Sequence, residues 1–243
     1  MNDTTVSLEP NKLKNDGNNT RVLIIVGVVI AAIAVVATVI FLNNQATAVT
    51  TGKFDYANLP TSRTADGAFV VGDPNAPITI VEFADFLCPH CQEYDEIIEQ
   101  VMENHVLTGQ AKFEYRYFLT VDSSGSTARL VECAAGEDPV KFWQAHDLMY
   151  SLTIRGWNQE SPREFSDQLG LNYGELLNCV RTADQFETDI RLGQLSEVNG
   201  TPAIRVRYGN SDGVPQPISE AYVRGGVTYQ VIAAAILSVQ AAQ

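Results

Sequence analysis

Apolar positions form one long uninterrupted run near the N-terminus and short periodic segments after it. The run, residues 22–42, carries no charged side chain, and about 20 apolar residues are what a helix needs to cross the hydrocarbon core of a membrane. Lys12, Lys14 and Arg21 precede the run and fewer cations follow it closely, which favours a cytoplasmic N-terminus. We therefore predict a cytoplasmic tail over residues 1–21, a single-pass transmembrane helix of the signal-anchor type over residues 22–42, and an extracytoplasmic remainder.

A secretory signal that is removed is the alternative interpretation of this run. Ala46 and Ala48 supply the small residues of a cleavage site, although the run is longer than the roughly 7–15 residues of most signal h-regions. Both interpretations place the rest of the chain in the cell envelope, where disulfides persist. Residues 43–66 are expected to form a linker, and residues 67–243 one globular domain.

The globular part opens with the patterns of a strand, a helix and a second strand. A short apolar piece at residues 69–71 precedes residues 78–83, ITIVEF, a β-branched run typical of a strand buried on both faces. After Cys91, apolar residues recur at helical spacing with glutamates between them, and residues 112–118, KFEYRYF, alternate like a strand. This order predicts a βαβ unit with two parallel strands.

Residues 120–199 show helical patterns throughout. Helices are predicted to begin near Ser126, Asp138, Ser161 and Thr182, and residues 173–181 are expected either to continue the third helix or to form a short separate one. The starts at Ser161 and Thr182 are capping-box sequences. Because a single crossover needs only one helix, the surplus indicates an all-helical subdomain inserted into an α/β core.

After the insert, the sequence predicts two further strands and a closing helix. Residues 203–208 alternate between apolar side chains and arginines, as a strand does. The turn-rich sequence GNSDGVPQP, residues 209–217, leads to a second predicted strand over residues 220–224. The closing helix is expected over residues 229–239.

The sequence CPHC, residues 88–91, carries the candidate chemistry. Pro89 suits the first position of a helix, which places Cys88 at or beside the N-cap and Cys91 one turn further on. Unsatisfied backbone N–H groups and the helix dipole stabilise a thiolate at Cys88, and His90 can add a positive charge or a hydrogen bond. These effects lower the pKa of Cys88 and stabilise the reduced pair, which makes its disulfide a strong oxidant. Cys91 is then the thiol that resolves a mixed disulfide.

A metal site and a structural staple are the alternatives for this pair. Structural zinc sites usually combine two C-x-x-C pairs, whereas Cys133 and Cys179 form no second pair of this spacing. A purely structural disulfide between Cys88 and Cys91 would close a very short loop and would therefore add little stability. We therefore predict no metal site, and a C-x-x-C box between a strand and a helix indicates thioredoxin-type exchange. The chain carries no quinone, flavin or nucleotide motif, so no cofactor is expected.

Composition and charge mainly help to exclude classes of binding partner. The chain is 45% hydrophobic and 19% charged, which is ordinary for a globular protein. Its formal net charge is -13, and an acidic body disfavours a nucleic-acid partner, whose phosphates favour clustered Lys and Arg.

Several motifs together resemble the DsbA-like thiol:disulfide oxidoreductases of the thioredoxin superfamily. They are GDPNAPITIVEFADFLCPHC, ECA, FWQAHDLMY, LLNCV and GTPA, and they extend over nearly the whole predicted domain. The resemblance implies a thioredoxin fold interrupted by a helical insert, with Cys88 as the attacking nucleophile and Cys91 as the resolving thiol. It also implies a cis-proline loop at Thr201 and Pro202, where neighbouring backbone can pair with an extended substrate.

The resemblance further assigns Glu82 and the second cysteine pair. Glu82 matches a buried acid beneath Cys91 that transfers a proton to or from it; an exposed strand residue is the alternative. Cys133 and Cys179 match positions at which relatives often carry cysteines, which implies a structural disulfide; two separate buried thiols are the alternative. The segment after Pro202 and the loop TVDSSGS, residues 120–126, differ from the corresponding segments of relatives. The resemblance therefore does not specify the substrates.

These features predict a monomeric, membrane-anchored protein disulfide oxidase of the cell envelope. The Cys88–Cys91 disulfide is expected to be donated to exported proteins with free cysteines through a mixed disulfide at Cys88. A membrane partner resembling DsbB or vitamin K epoxide reductase is expected to re-oxidise the pair. Two alternatives stay open: a disulfide reductase or isomerase fed by a membrane electron donor, and a non-catalytic peptide-binding module with a thioredoxin fold.

Overall fold

The structure, a computed structural model, describes residues 23–35, 53–209, 212–219 and 226–241. The chain divides into two compact units, Met1–Ala48 and Val49–Gln243. In the first unit, residues 23–35 form helix α1. Among the helices within the described ranges, none has both the length and the apolar character needed to cross a membrane. Residues 22 and 36–42 of the predicted anchor lie outside those ranges, and the transmembrane segment therefore stays a prediction.

The described part of the second unit contains a six-stranded sheet and the remaining helices. The strands are Thr61–Arg63 (β1), Phe69–Val71 (β2), Ile78–Ala84 (β3), Lys112–Tyr117 (β4), Ala203–Tyr208 (β5) and Gln216–Pro217 (β6). The α-helices are Pro89–Val101 (α2), Ser124–Ala135 (α3), Pro139–Gly156 (α4), Ser161–Gln168 (α5), Tyr173–Val180 (α6), Gln185–Leu195 (α7) and Tyr229–Gln240 (α8). A short 3-10 helix, Tyr56–Asn58, precedes β1, and a π-helical turn, Met102–Val106, extends α2.

The sheet is built around the predicted βαβ unit. The strand order is β1-β2-β4-β3-β5-β6. Strands β3 and β4 are parallel, with Glu82 opposite Tyr115, and α2 connects them. Every other neighbouring pair is antiparallel. Strand β3 therefore lies between β4 and β5, and its C-terminal end leads directly into the CPHC sequence.

The two faces of the sheet are packed differently. The main core includes Ile80 of β3, Phe113 of β4 and Val206 of β5, together with apolar residues of α2, α4 and α8. On the other face, Val81 and Phe83 form a smaller cluster that includes apolar residues around α7. Helix α7 approaches this face closely: a Cβ at Gly193 would lie 2.6 Å from a ring carbon of Phe118. Glycine at position 193 is therefore required by the contact between helix and sheet.

A buried ionic network holds β4 against α7 on this second face. Arg116 is fully buried, and its Nε donates to Glu114 Oε1 at 2.6 Å. One terminal nitrogen of Arg116 donates to Asp189 Oδ1 at 2.9 Å and to Asp66 Oδ2 at 2.8 Å. Arg207 of β5 also pairs with Glu114. Each buried charge of this network thus has a partner of opposite charge, as buried charges must have.

Helices α3 to α7 form the helical insert between β4 and β5. Helix α3 packs on α4, α6 and α7, and α4 reaches β1 and β2. The predicted helical insert over residues 120–199 is therefore present, and its helices reach both faces of the sheet, α4 at the main core and α7 at the smaller cluster. The start of α4 is as expected, because the Asp138 side chain accepts a hydrogen bond from the backbone N–H of Val140.

Both predicted capping boxes of the insert are wrong. Helix α5 begins at Ser161 itself, whose hydroxyl accepts from the backbone N–H of Asn158 in the preceding turn. Helix α7 begins at Gln185 instead of near Thr182, and its first N–H donates to Glu132 Oε2 of α3. The first N–H of α7 is therefore satisfied by a tertiary contact, which a local sequence pattern does not contain, whereas the Ser161 hydroxyl is used within the turn before α5.

The predicted linker, residues 43–66, is wrong for the described residues 53–66. Thr61–Arg63 pairs with β2 as an edge strand, and Tyr56 is 3% exposed in the main core. The hydroxyl of Tyr56 donates to Asp147 of α4 at 3.0 Å. A segment with loop-like composition is therefore folded because the sheet edge and α4 offer it partners.

The C-terminal part of the sheet differs from the prediction. Gln216 and Pro217, which we expected in a turn, pair with Val206 and Arg205 as strand β6. The strand predicted over residues 220–224 lies outside the described residues. Pro217 can occupy this strand because β6 is at the edge of the sheet, where a missing N–H is tolerated.

Candidate active site

The CPHC sequence occupies the N-terminus of α2, as its spacing predicts. Cys88 is the N-cap residue and Pro89 the first residue of the helix. Cys91 lies one turn further and is fully buried, whereas Cys88 is 7% exposed. Both side chains are thiols in this structure. The position nearest the surface therefore belongs to the predicted nucleophile.

Thr201 and Pro202 lie directly beside Cys88, and the peptide bond between them is cis. Cys88 Sγ lies 3.6 Å from the carbonyl oxygen of Thr201, to which it donates when it is protonated. The hydroxyl of Thr201 lies 3.1 Å from that of Thr120, which follows β4. The fold thus brings the loop after β4 and the loop before β5 together beside the CPHC sequence, which follows β3.

Asp85 holds this junction together, and the sequence analysis did not single it out. It is fully buried and follows β3 directly. Its Oδ1 accepts from the backbone N–H of Leu87 at 2.9 Å, while its Oδ2 accepts from the backbone N–H groups of Thr120 at 2.7 Å and Val121 at 3.1 Å. The signal for it was an Asp between a strand and a helix, where such residues form Asx turns.

The environment of Cys88 favours its thiolate. The pKa of Cys88 is lowered to about 5, mainly because the thiol of Cys91 donates a hydrogen bond to it. The Thr201 side chain and the backbone N–H groups of Cys91 and His90 stabilise the charge further, whereas burial opposes it. At neutral pH the more accessible sulfur is therefore ionised.

The environment of Cys91 has the opposite effect. Its pKa is raised, first because its proton is shared in the hydrogen bond with Cys88, and then because the side chain is buried. The negative charge of Glu82 raises it further. Cys91 therefore holds its proton while Cys88 is ionised, and the two thiols have distinct roles.

Glu82 lies in the middle of β3 and faces the core below Cys91. It is 2% exposed, and its pKa is raised well above the usual value by burial and by the nearby charge of Asp95. Burial therefore favours the protonated form of the carboxyl group, and this form can supply a proton. This burial excludes the alternative of an exposed strand residue.

His90 contributes less directly than the sequence analysis expected. Its side chain is 80% exposed, and its Nδ1 lies 3.8 Å from a carboxylate oxygen of Glu93. Its contribution to the lowered pKa of Cys88 comes from the backbone N–H. The backbone N–H groups at the helix N-terminus therefore stabilise the Cys88 thiolate, as expected, and the contribution of His90 comes from its backbone and not from the imidazole ring that we expected to add to it.

A groove borders the nucleophile. It has a volume of about 410 Å³ and is lined by His90, Glu93, Tyr94, Ile97, Thr201, Pro202 and Gly226. The hydroxyl of Tyr94 donates to the carbonyl of Val227 at 2.5 Å, and a Cβ at Gly226 would lie 2.4 Å from the Tyr94 ring. The wall of the groove is thus held by contacts between α2 and the segment before α8.

Cys133 and Cys179 form a disulfide, as the resemblance implies. The bond joins α3 to α6 inside the helical insert. It therefore connects elements of the insert and does not include either cysteine of the CPHC sequence.

Comparison with known sequences identifies the lineage of this site. A family profile described as thioredoxin matches residues 64–214, more than half of the chain. The chain belongs to the thioredoxin family. Among curated proteins, it is 29% identical over 155 residues to disulfide bond formation protein D of Bacillus subtilis (strain 168), which covers 58% of this chain and 68% of that relative. It is also 27% identical over 150 residues to Na(+)/H(+) antiporter NhaA 3 of Salinispora tropica, of which it spans 22%.

Solved structures agree with this assignment at the level of the fold. Wolbachia pipientis α-DsbA1 superposes with a TM-score of 0.59 at 20% identity, over 74% of this chain and 94% of that chain. The helical insertion is thus shared with a DsbA. With its CPHC thiols and its disulfide-forming relative, this thioredoxin-family protein is a thiol:disulfide oxidoreductase of the DsbA-like type.

Proposed function

We propose that this thioredoxin-family protein is an oxidase that donates the Cys88–Cys91 disulfide to other proteins. The observation that carries the proposal is the difference between its two thiols, since the pKa of Cys88 is lowered to about 5 and that of Cys91 is raised. A stabilised thiolate favours the reduced pair, and a disulfide whose reduced form is stabilised passes readily to substrates.

Disulfide transfer proceeds in two balanced steps. A substrate thiolate attacks Cys88 Sγ, a mixed disulfide forms, and the bond between Cys88 and Cys91 breaks. The departing Cys91 thiolate takes a proton, for which the buried Glu82 carboxyl is the nearby donor. A second substrate thiolate then attacks the substrate sulfur of the mixed disulfide, and Cys88 leaves as the stabilised thiolate. The substrate loses two electrons and the Cys88–Cys91 pair gains them.

The proposed substrates are exported proteins with free cysteines, and the proposed location is the outer side of the cell membrane. A relative named disulfide bond formation protein D and the apolar run at residues 22–42 support this placement. Because each cycle leaves the pair reduced, a membrane partner must take up two electrons. We propose a quinone-linked protein resembling DsbB or vitamin K epoxide reductase for this role.

Transfer to a reduced, unfolded secretory protein tests the oxidase activity. The oxidised full chain, added in stoichiometric amount, is expected to introduce disulfides into that substrate while its own Cys88 and Cys91 become reduced. The double variant Cys88→Ser, Cys91→Ser, which keeps the Cys133–Cys179 disulfide, is the matched control and should transfer none. If the oxidised chain leaves the substrate reduced, the oxidase proposal is wrong.

Labelling in intact cells tests the location. A membrane-impermeant maleimide is expected to label Cys88 of the reduced chain without lysis, and the chain is expected in the membrane fraction. Labelling that requires lysis would contradict the extracytoplasmic placement. A labelled chain in the soluble fraction would support cleavage near Ala48 over the uncleaved anchor.

A further inference from the structure

Helix α7 ends in a turn at which Glu197 has a left-handed backbone conformation. Its φ is 56°, and within the described ranges it is the only non-glycine residue with a positive φ. The turn is closed by the backbone N–H of Val198, which donates to the carbonyl of Gly193 at 2.8 Å. Glycine adopts this conformation more readily than glutamate does. Contacts from elsewhere in the chain are therefore expected to hold the turn in place.

Arg205 of β5 supplies these contacts. Its side chain is fully buried. Nε donates to the carbonyl oxygen of Ser196 at 2.8 Å, and one terminal nitrogen donates to that of Glu197 at 3.1 Å. Both carbonyls lie at the C-terminal end of α7, where the helix dipole favours a cation. Arg205 therefore clamps the end of α7 to the sheet.

The clamped turn leads directly into the loop beside the nucleophile. Val198, just after the turn, and Ala203, the first residue of β5, are buried in the same apolar cluster. The short span between them contains Thr201 and Pro202, and the Thr201 carbonyl oxygen lies 3.6 Å from Cys88 Sγ. The position of this loop therefore depends on what fixes its two ends.

We propose that Arg205 is a positioning residue of the active site, which fixes the end of α7 and thereby holds Thr201 and Pro202 beside Cys88. Strand pairing of β5 fixes the loop after Pro202, whereas Arg205 fixes its start. Without the clamp, the turn at Glu197 relaxes and Thr201 moves away from the sulfur. This role concerns the thiol itself and holds whichever direction the electrons flow, so its failure would leave the oxidase proposal standing.

The pH dependence of Cys88 alkylation in the reduced full chain tests this role. The Thr201 side chain is one of the groups that lower the pKa of Cys88, so a displaced loop should raise the midpoint of the profile. Arg205→Lys keeps a cation but lacks the planar fork that reaches two carbonyls. It is expected to raise the midpoint by about half a pH unit and to make the reduction potential of the Cys88–Cys91 pair more negative.

Arg207 provides the matched control. It is also buried, lies on the same face of β5 two residues further on, and donates through Nε to a backbone carbonyl, that of Gly213, at 2.7 Å. Arg207→Lys is expected to lower stability in urea but to leave the midpoint and the potential in place. If Arg205→Lys does not fold, Arg205→Gln, which buries no charge and can still donate to one carbonyl, takes its place, and the same shift is expected.

A second substitution separates the clamp from the charge of Arg205. Glu197→Gly lets the turn form without strain, so in the Arg205→Lys background it is expected to return the midpoint towards that of the parent. Glu197→Ala removes the same carboxylate without easing the turn and should not do so. The proposal is overturned if the Arg205 variant leaves the midpoint unchanged, if Arg207→Lys raises it equally, or if Glu197→Ala restores it as well as Glu197→Gly.

Discussion

Cys88 Sγ lies 3.6 Å from the backbone carbonyl oxygen of Thr201, although 113 residues separate them in the sequence. The helix insert lies between these two positions, and β5 returns the chain to the edge of β3 beside the nucleophile. The reactive sulfur is therefore controlled by two distant parts of the chain, the N-terminus of α2 and the loop before β5.

Replacing Cys91 tests the main cause of the lowered pKa of Cys88. Cys91→Ala removes the thiol that donates to Cys88, so the pKa of Cys88 should rise from about 5. The thiolate fraction on the acid side of neutrality should fall accordingly, as measured by the pH dependence of alkylation. Cys91→Ser keeps a hydroxyl donor and should cause a smaller rise. An unchanged alkylation profile in Cys91→Ala would refute this assignment.

Replacing Glu82 tests the cost of its burial. The unfolded carboxyl ionises at a pH of about 4.3, whereas its pKa in the folded chain is raised. Stability is therefore lost as pH rises from about 4.3 towards the folded pKa. Glu82→Gln should raise the melting temperature at neutral pH and change it little in acid. It should also slow proton transfer to Cys91, and thus disulfide transfer. A destabilised variant at neutral pH would contradict the raised pKa.

The Cys133–Cys179 disulfide should stabilise the domain without affecting exchange. It closes a separation of 46 residues, for which a contribution of about 2–4 kcal/mol is typical. The variant Cys133→Ala, Cys179→Ala should lose about that much in denaturant unfolding. Its Cys88–Cys91 pair should keep the parent's reduction potential. A changed potential with unchanged stability would show that the second pair is a redox relay.

The buried network around Arg116 should contribute far more to stability than a similar pair at the surface. Arg116→Met leaves Asp189 buried without its cation, which typically costs about 3–5 kcal/mol. Arg155→Met breaks the exposed pair with Glu164 and should cost at most about 1 kcal/mol. Urea unfolding of both variants makes the comparison. Equal losses would show that the buried network is not an important determinant of stability.

Local chemistry made α2 and the central strands predictable from sequence. Pro89 after a β-branched run places a helix start at Cys88, and alternation in KFEYRYF indicates β4. The position of Glu82 in an apolar strand also suggested its burial. These signals are contained in a few adjacent residues, and tertiary contacts support them.

Features that depend on distant partners were not predictable in this way. The first N–H of α7 is capped by Glu132 of α3, and Asp85 bonds a loop that follows another strand. Lys53 looked like part of a linker, because nothing nearby in sequence announces Asp95 or Asp147 as its partners. Sequence patterns carry periodicity and turn chemistry, whereas these contacts exist only after the sheet has formed.

The reduction potential of the Cys88–Cys91 pair in the full chain tests the central claim most directly. Equilibration with glutathione buffers, read out by alkylation of the two thiols, gives this value. Because the Cys88 thiolate is stabilised, we expect a reduction potential of about -120 mV, the value of a strongly oxidising DsbA. A potential near the about -270 mV of thioredoxin would contradict the account and indicate a reductase.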